Sequence, residues 1–343
     1  MQDKMLKYPT PGGQRTELGA VLPLDTPFIV QLFPVYACNL NCGYCIHALE
    51  KKERGYISDV VYMDFELYRK CIDQMKFFKN KLKMLRFAAI GEPLLHKDIV
   101  KMVEYAKRAE IAESIDIVSN GTLLTNQLSD GLIEAGLSRL RISINGLSKA
   151  QYLNNTGQAI DFENMVENVT YFYENRGNTK LYIKIIDYMV DTKEERNQFY
   201  NCFLNICDEI AIEHLTPTIE EIDYKKLSGK EKLDRPHNEK EMIYTEICPQ
   251  PFYLIQINPD GNVVPCCSMK YPEILGNVKE ENIKEIWNGE RFNQLRNNLL
   301  KGVENATEVC RKCNLYLYDM HKEDALDKYK NSLIKIYEID DCF

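Results

Sequence analysis

The sequence predicts an α/β fold: a partial (β/α)6 barrel followed by a small C-terminal β-hairpin and helix module. Three observations predict it. Short β-like runs alternate with helical patterns six times by about residue 215, which implies parallel strands with helical crossovers. Polar or glycine motifs recur where those strands should end, the side on which parallel α/β folds carry their chemistry. After residue 247 the pattern changes to two apolar runs joined by Pro259-Asp260-Gly261, a turn sequence that reads as a hairpin.

The elements follow in order. Residues 28–35 read as the first strand, and 64–78 as a helix with Asp64 at its start and Phe65, Tyr68, Cys71, Ile72 and Met75 at helical spacing. Strands at 84–90, 114–119, 139–144, 181–190 and 209–214 alternate with helices at 98–110, 125–135, 161–175 and 193–206. Six units suit an open barrel rather than the closed eight-fold one. The predicted domains are an extension at 1–27, the barrel at 28–215, and a charged linker or substrate-covering segment at 216–247. A hairpin and helix module at 248–315 and a C-terminal helix at 316–343 complete the chain.

Composition narrows the class. With 45% hydrophobic and 27% charged residues, a chain of 343 residues can bury a sizeable core. A net charge of −8 argues against a broad nucleic-acid footprint, and no long uncharged apolar run suggests a membrane span. The N-terminal residues show no apolar signal core, so a cytoplasmic location is expected. Twelve cysteines in such a chain point to metal rather than to disulfides.

The first cysteine group is Cys38-Asn-Leu-Asn-Cys42-Gly-Tyr-Cys45, at the end of the first strand. Three thiolates on one loop can hold three irons of a [4Fe–4S] cube and leave the fourth open, whereas an electron-carrier cluster uses four. Zinc, with His47 as a further ligand, is the alternative. The second group is Cys248, Cys266, Cys310 and Cys313, the last two as C-x2-C. Four thiolates suit a closed cluster, and structural zinc is again the alternative. Cys267 is either packing or a spare thiol able to donate a hydrogen atom, while Cys71, Cys202 and Cys207 fall in helical patterns and read as packing. Cys342 has no assigned role.

The C-x3-C-x2-C run resembles the signature of the radical S-adenosylmethionine (SAM) superfamily. The order Cys248, hairpin, Cys266-Cys267, Leu275-Gly276-Asn277, Ile286-Trp287, C-x2-C resembles the SPASM/twitch auxiliary-cluster region. The resemblance implies a three-cysteine cluster that binds SAM and yields a 5′-deoxyadenosyl radical, and one auxiliary [4Fe–4S] cluster. It places Tyr44 near adenine and assigns Gly91, Glu92 and Pro93 to the SAM amino group, with Ile90 where the family has its first glycine. It brings Ser119, Asn120, Ser143 and Asn145 to the SAM and substrate rim; Asn145 stands in place of an aspartate. The implied activity is oxidation or epimerisation of a hydroxylated small molecule such as a sugar or aminocyclitol, with a reductant such as flavodoxin or ferredoxin. Radical modification of a peptide is the second expectation, and a non-catalytic iron–sulfur or zinc protein the third. Only 37 residues precede Cys38, fewer than the leader-binding domain of many peptide-modifying relatives, which favours the first.

Overall fold

A computed structural model describes residues 15–236 and 242–337. Six parallel strands form in chain order: β1 (Ile29–Leu32), β2 (Leu82–Phe87), β3 (Ala112–Ser119), β4 (Arg139–Ile144), β5 (Lys180–Ile186) and β6 (Glu209–Glu213). Helices between them start on side-chain caps. Asp64 accepts from the Glu66 and Leu67 amides ahead of Phe65–Met75, Thr125 caps Asn126–Glu134, and Asp161 caps Phe162–Asn175. Thr192 and Glu195 form a capping box on Lys193–Phe203.

Strand periodicity places the core. Leu85, Phe87, Ile115, Ile117, Leu140, Ile142, Leu181 and Ile183 lie on one face of the sheet. That face shares an apolar core with Tyr68, Ile72, Met102, Leu132, Val169 and Phe199 of the helices. The opposite, inner face is the one that differs, as described below.

The expected strand at 84–90 ends at Phe87, because Ala89 turns to φ 117°, outside extended geometry. The expected strand at 181–190 ends at Ile186, where a 3-10 turn, Asp187–Met189, takes over. The helical stretch at 281–300 is two helices, Ile283–Asn288 and Glu290–Leu300, meeting at Gly289.

The hairpin of β7 (Leu254–Ile257) and β8 (Asn262–Val264), with β9 (Gly276–Asn277), is present but does not form a sheet of its own. β7 pairs parallel with β1, Ile29 opposite Leu254 and Leu32 opposite Ile257, so all nine strands form one sheet in the order β6-β5-β4-β3-β2-β1-β7-β8-β9. A buried amide pair, Gln31 to Gln256 at 2.7 Å, crosses the join. The segment after β6 carries one short helix, Tyr224–Ser228. At the N-terminal side Leu18 is buried and Arg15 pairs with Asp324. Trp287 donates to the Leu24 carbonyl at 2.8 Å, so the described segment before β1 is packed against the C-terminal helices. No helix of the described residues is long and apolar enough to cross a membrane.

Candidate active site

Cys38, Cys42 and Cys45 sit on the loop after β1; Cys42 is buried and the other two are half-buried. Burial pushes the Cys38 thiol up to about 11 and raises Cys42 and Cys45 as well, each further raised or modulated by the neighbouring charges. Without a metal these are neutral thiols at neutral pH, so a cation is what would make them thiolates. None of the three is in a disulfide.

The loops after β2, β3 and β4 converge on this one. Gly91 lets the β2 loop touch the approach to Cys38: a Cβ there would lie 1.7 Å from the Val35 carbonyl oxygen and 2.7 Å from that of Ala37. The Glu92 amide donates to the Ala37 carbonyl at 2.8 Å. Glu92 itself is 2% exposed, and burial raises its carboxyl while three hydrogen bonds oppose the rise. Its oxygens accept from Ser119 Oγ at 2.8 Å, the Asn120 amide at 2.7 Å and the Leu94 amide at 2.9 Å. Both carboxylate oxygens are therefore engaged by the protein. Asn120 Nδ2 in turn donates to Asn39 Oδ1 at 2.9 Å and lies 3.8 Å from Cys38 Sγ.

On the other side of the loop, Asn145 Oδ1 accepts from Tyr44 Oη at 3.0 Å and from Cys42 Sγ at 3.5 Å. Its Nδ2 donates to the Ser143 carbonyl at 3.0 Å. Asn145 is thus turned toward the cysteine loop. Ser143 is half-buried on the inner face of β4. The Tyr188 ring meets Tyr44 edge-on at 6.5 Å, and its buried hydroxyl has no hydrogen-bond partner. The segment after β6 closes over this side: Tyr224 Oη donates to the Tyr44 carbonyl at 3.1 Å. His47 bonds the Ile90 carbonyl and His96 the Met63 carbonyl, both structural contacts. His214 Nδ1 lies 3.0 Å from Asp187 Oδ2.

The second cysteine group surrounds a hollow. Cys248, Cys266, Cys310 and Cys313 line a small cavity of about 30 Å³ whose other walls include Leu295 and Leu299. Among the described residues no three His, Cys, Asp or Glu side chains converge closely enough for a single metal ion. The donor sets, three and four thiols, fit iron–sulfur cores in their chemistry. Cys267 is not part of that lining. Its Sγ contacts Gln250 Oε1 at 3.6 Å, and burial pushes its thiol up to about 12.

Between the two groups lies the inner face of the barrel, and its chemistry escaped the sequence reading. Arg86, Asp116, Arg141, Tyr182, Lys184 and Glu213 share it by strand register. Asp116 Oδ2 accepts both Arg141 Nη2 at 2.7 Å and Nε at 3.1 Å; Glu213 accepts from Tyr182 at 2.7 Å and Lys184 at 2.6 Å. The signal was available: parallel strands covered on both faces read as continuous apolar runs, but RLRIS and LYIKI alternate polar with apolar residues, and MLRF and SIDIV carry Arg86 and Asp116 on the same face.

Comparison with known proteins agrees with this arrangement. The family model described as the radical SAM superfamily matches residues 32–201, and that of an iron–sulfur cluster-binding domain, SPASM, matches 248–314. A tungsten-containing aldehyde ferredoxin oxidoreductase cofactor-modifying protein of Pyrococcus furiosus is 27% identical over 299 residues, covering 76% of this chain and 80% of the relative. An S-adenosyl-L-methionine-dependent 2-deoxy-scyllo-inosamine dehydrogenase of Niallia circulans is 22% identical over 283 residues, covering 81% and 88%. The crystal structure of Streptococcus suis SuiB bound to precursor peptide SuiA superposes with a TM-score of 0.61 at 16% identity, covering 89% of this chain and 77% of that one.

Proposed function

Because the chain belongs to the radical SAM superfamily and carries a SPASM-type iron–sulfur domain, we propose that this radical SAM oxidoreductase dehydrogenates or epimerises a hydroxylated small molecule, a sugar or aminocyclitol. The observation that carries the substrate class is the inner face, a polar network of Arg86, Asp116, Arg141, Tyr182, Lys184 and Glu213 rather than apolar surface. The aminocyclitol dehydrogenase among the relatives supports the same class. A peptide substrate is the second reading, supported by the barrel it shares with a peptide-bound structure.

Cys38, Cys42 and Cys45 would hold the radical cluster, and Cys248, Cys266, Cys310 and Cys313 one auxiliary cluster. When bound, the first cluster with SAM supplies a 5′-deoxyadenosyl radical able to take a hydrogen atom, and the second an acceptor for an electron. The chain's own residues position and enclose. Glu92 ties the loops after β2 and β3 together, so that Gly91, Pro93, Ser119 and Asn120 present backbone and amide groups to SAM from a fixed frame. Asn145 holds the Tyr44 ring for the adenine side, and Ser143 faces the space beside it. The segment pinned by Tyr224 covers the site and excludes water and stray hydrogen donors. Cys267, kept as S–H by burial, retains the atom a hydrogen donor must give. A cytoplasmic location and a reductant such as flavodoxin or ferredoxin suit a chain whose candidate cluster cysteines form no disulfides. The domain limits that go with this reading are 28–215 for the barrel, 216–247 for the cover and 248–315 for the auxiliary module.

The test is anaerobic reconstitution, with about eight irons per chain expected for two four-iron cores, then dithionite and SAM. Release of 5′-deoxyadenosine that disappears in Cys42→Ala supports the reading; no release from iron-loaded protein sinks it. Deuterium transfer from a labelled polyol panel into deoxyadenosine names the substrate. In heavy water, an epimerised product that carries solvent deuterium, and loses it in Cys267→Ala, separates epimerisation from dehydrogenation.

A further inference from the structure

The charges on the inner face are matched, with one exception. Arg141 is held by Asp116, Lys184 by Glu213, and Arg139, lower on β4, by Glu209 at 2.9 Å. Arg86 stands beside Asp116 in register, yet Asp116 is already occupied: Oδ2 takes both Arg141 bonds and Oδ1 accepts from Ser114 at 2.6 Å. On its other side Arg86 faces Gln31 in register, whose Nε2 donates to Gln256. No described carboxylate lies within ion-pair distance of Arg86. Its Nε is buried with no hydrogen-bond partner, and Nη2 reaches only the sulfur of Met84 at 3.0 Å, a weak acceptor. Asp116 and Asp319 act on the Arg86 charge only from beyond ion-pair distance and burial outweighs them, a cost that persists in a fold only if something else is gained.

What is gained follows from position. Arg86 lies one residue below the end of β2, directly under the loop that leads to Gly91–Pro93. As a residue it is half-buried where its strand neighbours Leu85 and Phe87 are fully buried. Burial lowers its pKa to about 10, which leaves it charged at neutral pH. A guanidinium with an unpartnered donor on the polar inner face is a receptor for a carboxylate or a phosphate oxygen pair.

We propose that Arg86 anchors an anionic group of the substrate, a carboxylate or a phosphate, so that the substrate class narrows to acidic polyols. The proposal rests on the reading of the inner face as the substrate site. It makes Arg86 a specificity-determining residue, and it explains why one charge on an otherwise paired face has no ion-pair partner among the described residues.

Calorimetric binding to the reconstituted chain tests it, with D-glucose, D-glucuronate and D-glucose 6-phosphate as probes. The carboxylate and phosphate arms tell which anion is preferred. At least one anionic probe is expected to bind about tenfold or more tighter than glucose, and Arg86→Met to bring that ratio to about twofold or less, while Arg86→Lys keeps part of it. Equal binding of all three probes, absence of binding by all three, or a preference that survives Arg86→Met overturns the proposal. A second readout needs no ligand. Removing an unanswered charge should raise the thermal midpoint of Arg86→Met above that of the unmutated chain; a fall would mark Arg86 as a structural cation and overturn the proposal as well. Deoxyadenosine release by the unmutated chain reports the radical reading separately, so failure of one is not mistaken for failure of the other.

Discussion

Single residues fix how closely the loops around the cysteines approach. Gly91 is the sharpest case, because the obstacle to a side chain is backbone: the Val35 carbonyl oxygen lies 1.7 Å from where a Cβ would stand. No rotamer change relieves that contact, so Gly91→Ala must push the β2 loop off the strand that delivers Cys38. The expected loss of stability is at or above the upper end of the roughly 1–3 kcal/mol usual for overpacking, read as a lowered urea midpoint. Iron bound on reconstitution should fall with it; an unchanged midpoint and full iron content would refute the close approach. At this scale the sequence disclosed spacing but not engagement. The three-cysteine run and Gly91-Glu92-Pro93 could be read directly, because their ligands are neighbours in the chain. That Glu92 is consumed by Ser119 and Asn120 could not, since those donors arrive from the next strand. Asn145 is the same kind of case: its partners Tyr44 and Cys42 belong to a loop three strands back.

Elements decide how the site is closed. The six strands and their crossovers were legible because helical and strand periods differ sharply, whereas the segment after β6 has no period and gave no sign of what holds it. The structure answers with charge. Lys230 from that segment donates to Asp187 at 2.8 Å, and Asp187 also accepts from the Leu215 amide at 3.2 Å, next to His214 at 3.0 Å. Burial alone would raise the Asp187 carboxyl, but the His214 and Lys230 bonds outweigh it and bring its pKa down to about 2. A carboxyl whose folded pKa lies below its unfolded value, about 3.9, stabilises the fold above that value and ceases to as the pH drops through the folded one. The contribution of Asp187 is therefore intact above about pH 5 and lost between roughly pH 4 and pH 2. Urea midpoints at pH 6 and pH 3 should thus fall less steeply for Asp187→Asn than for the unmutated chain. Lys230→Ala should speed limited proteolysis within 216–236 at pH 7; equal cleavage rates would show that the ion pair does not hold the cover.

At the scale of the whole molecule, the informative feature is the join between the two cysteine-bearing regions. The hairpin and the C-x2-C pair suggest an appended unit when read along the sequence, since pairing partners far apart in the chain leave no periodic trace. In space β1 is an interior strand, hydrogen-bonded to β2 on one side and β7 on the other. The hairpin therefore completes the sheet that carries Cys38, and the hollow lined by Cys248, Cys266, Cys310 and Cys313 is built against that sheet's end. Cutting the chain after residue 236 would convert β1 into an exposed edge, strip the cover from Val30 and Leu32, and leave the Gln31 amide without Gln256. An unpaired apolar edge invites association with other chains. A fragment of residues 15–236 is thus expected to elute from size exclusion as aggregate and to lack a cooperative thermal transition, even with its three cysteines intact. Full-length chain carrying Cys310→Ser and Cys313→Ser keeps β7 in place and should elute as the unmutated chain does and unfold cooperatively while losing only the iron of the second site. Were the short fragment to fold as a stable monomer, β7 would be an accessory rather than part of the barrel sheet, and the two cysteine groups would be independent modules after all.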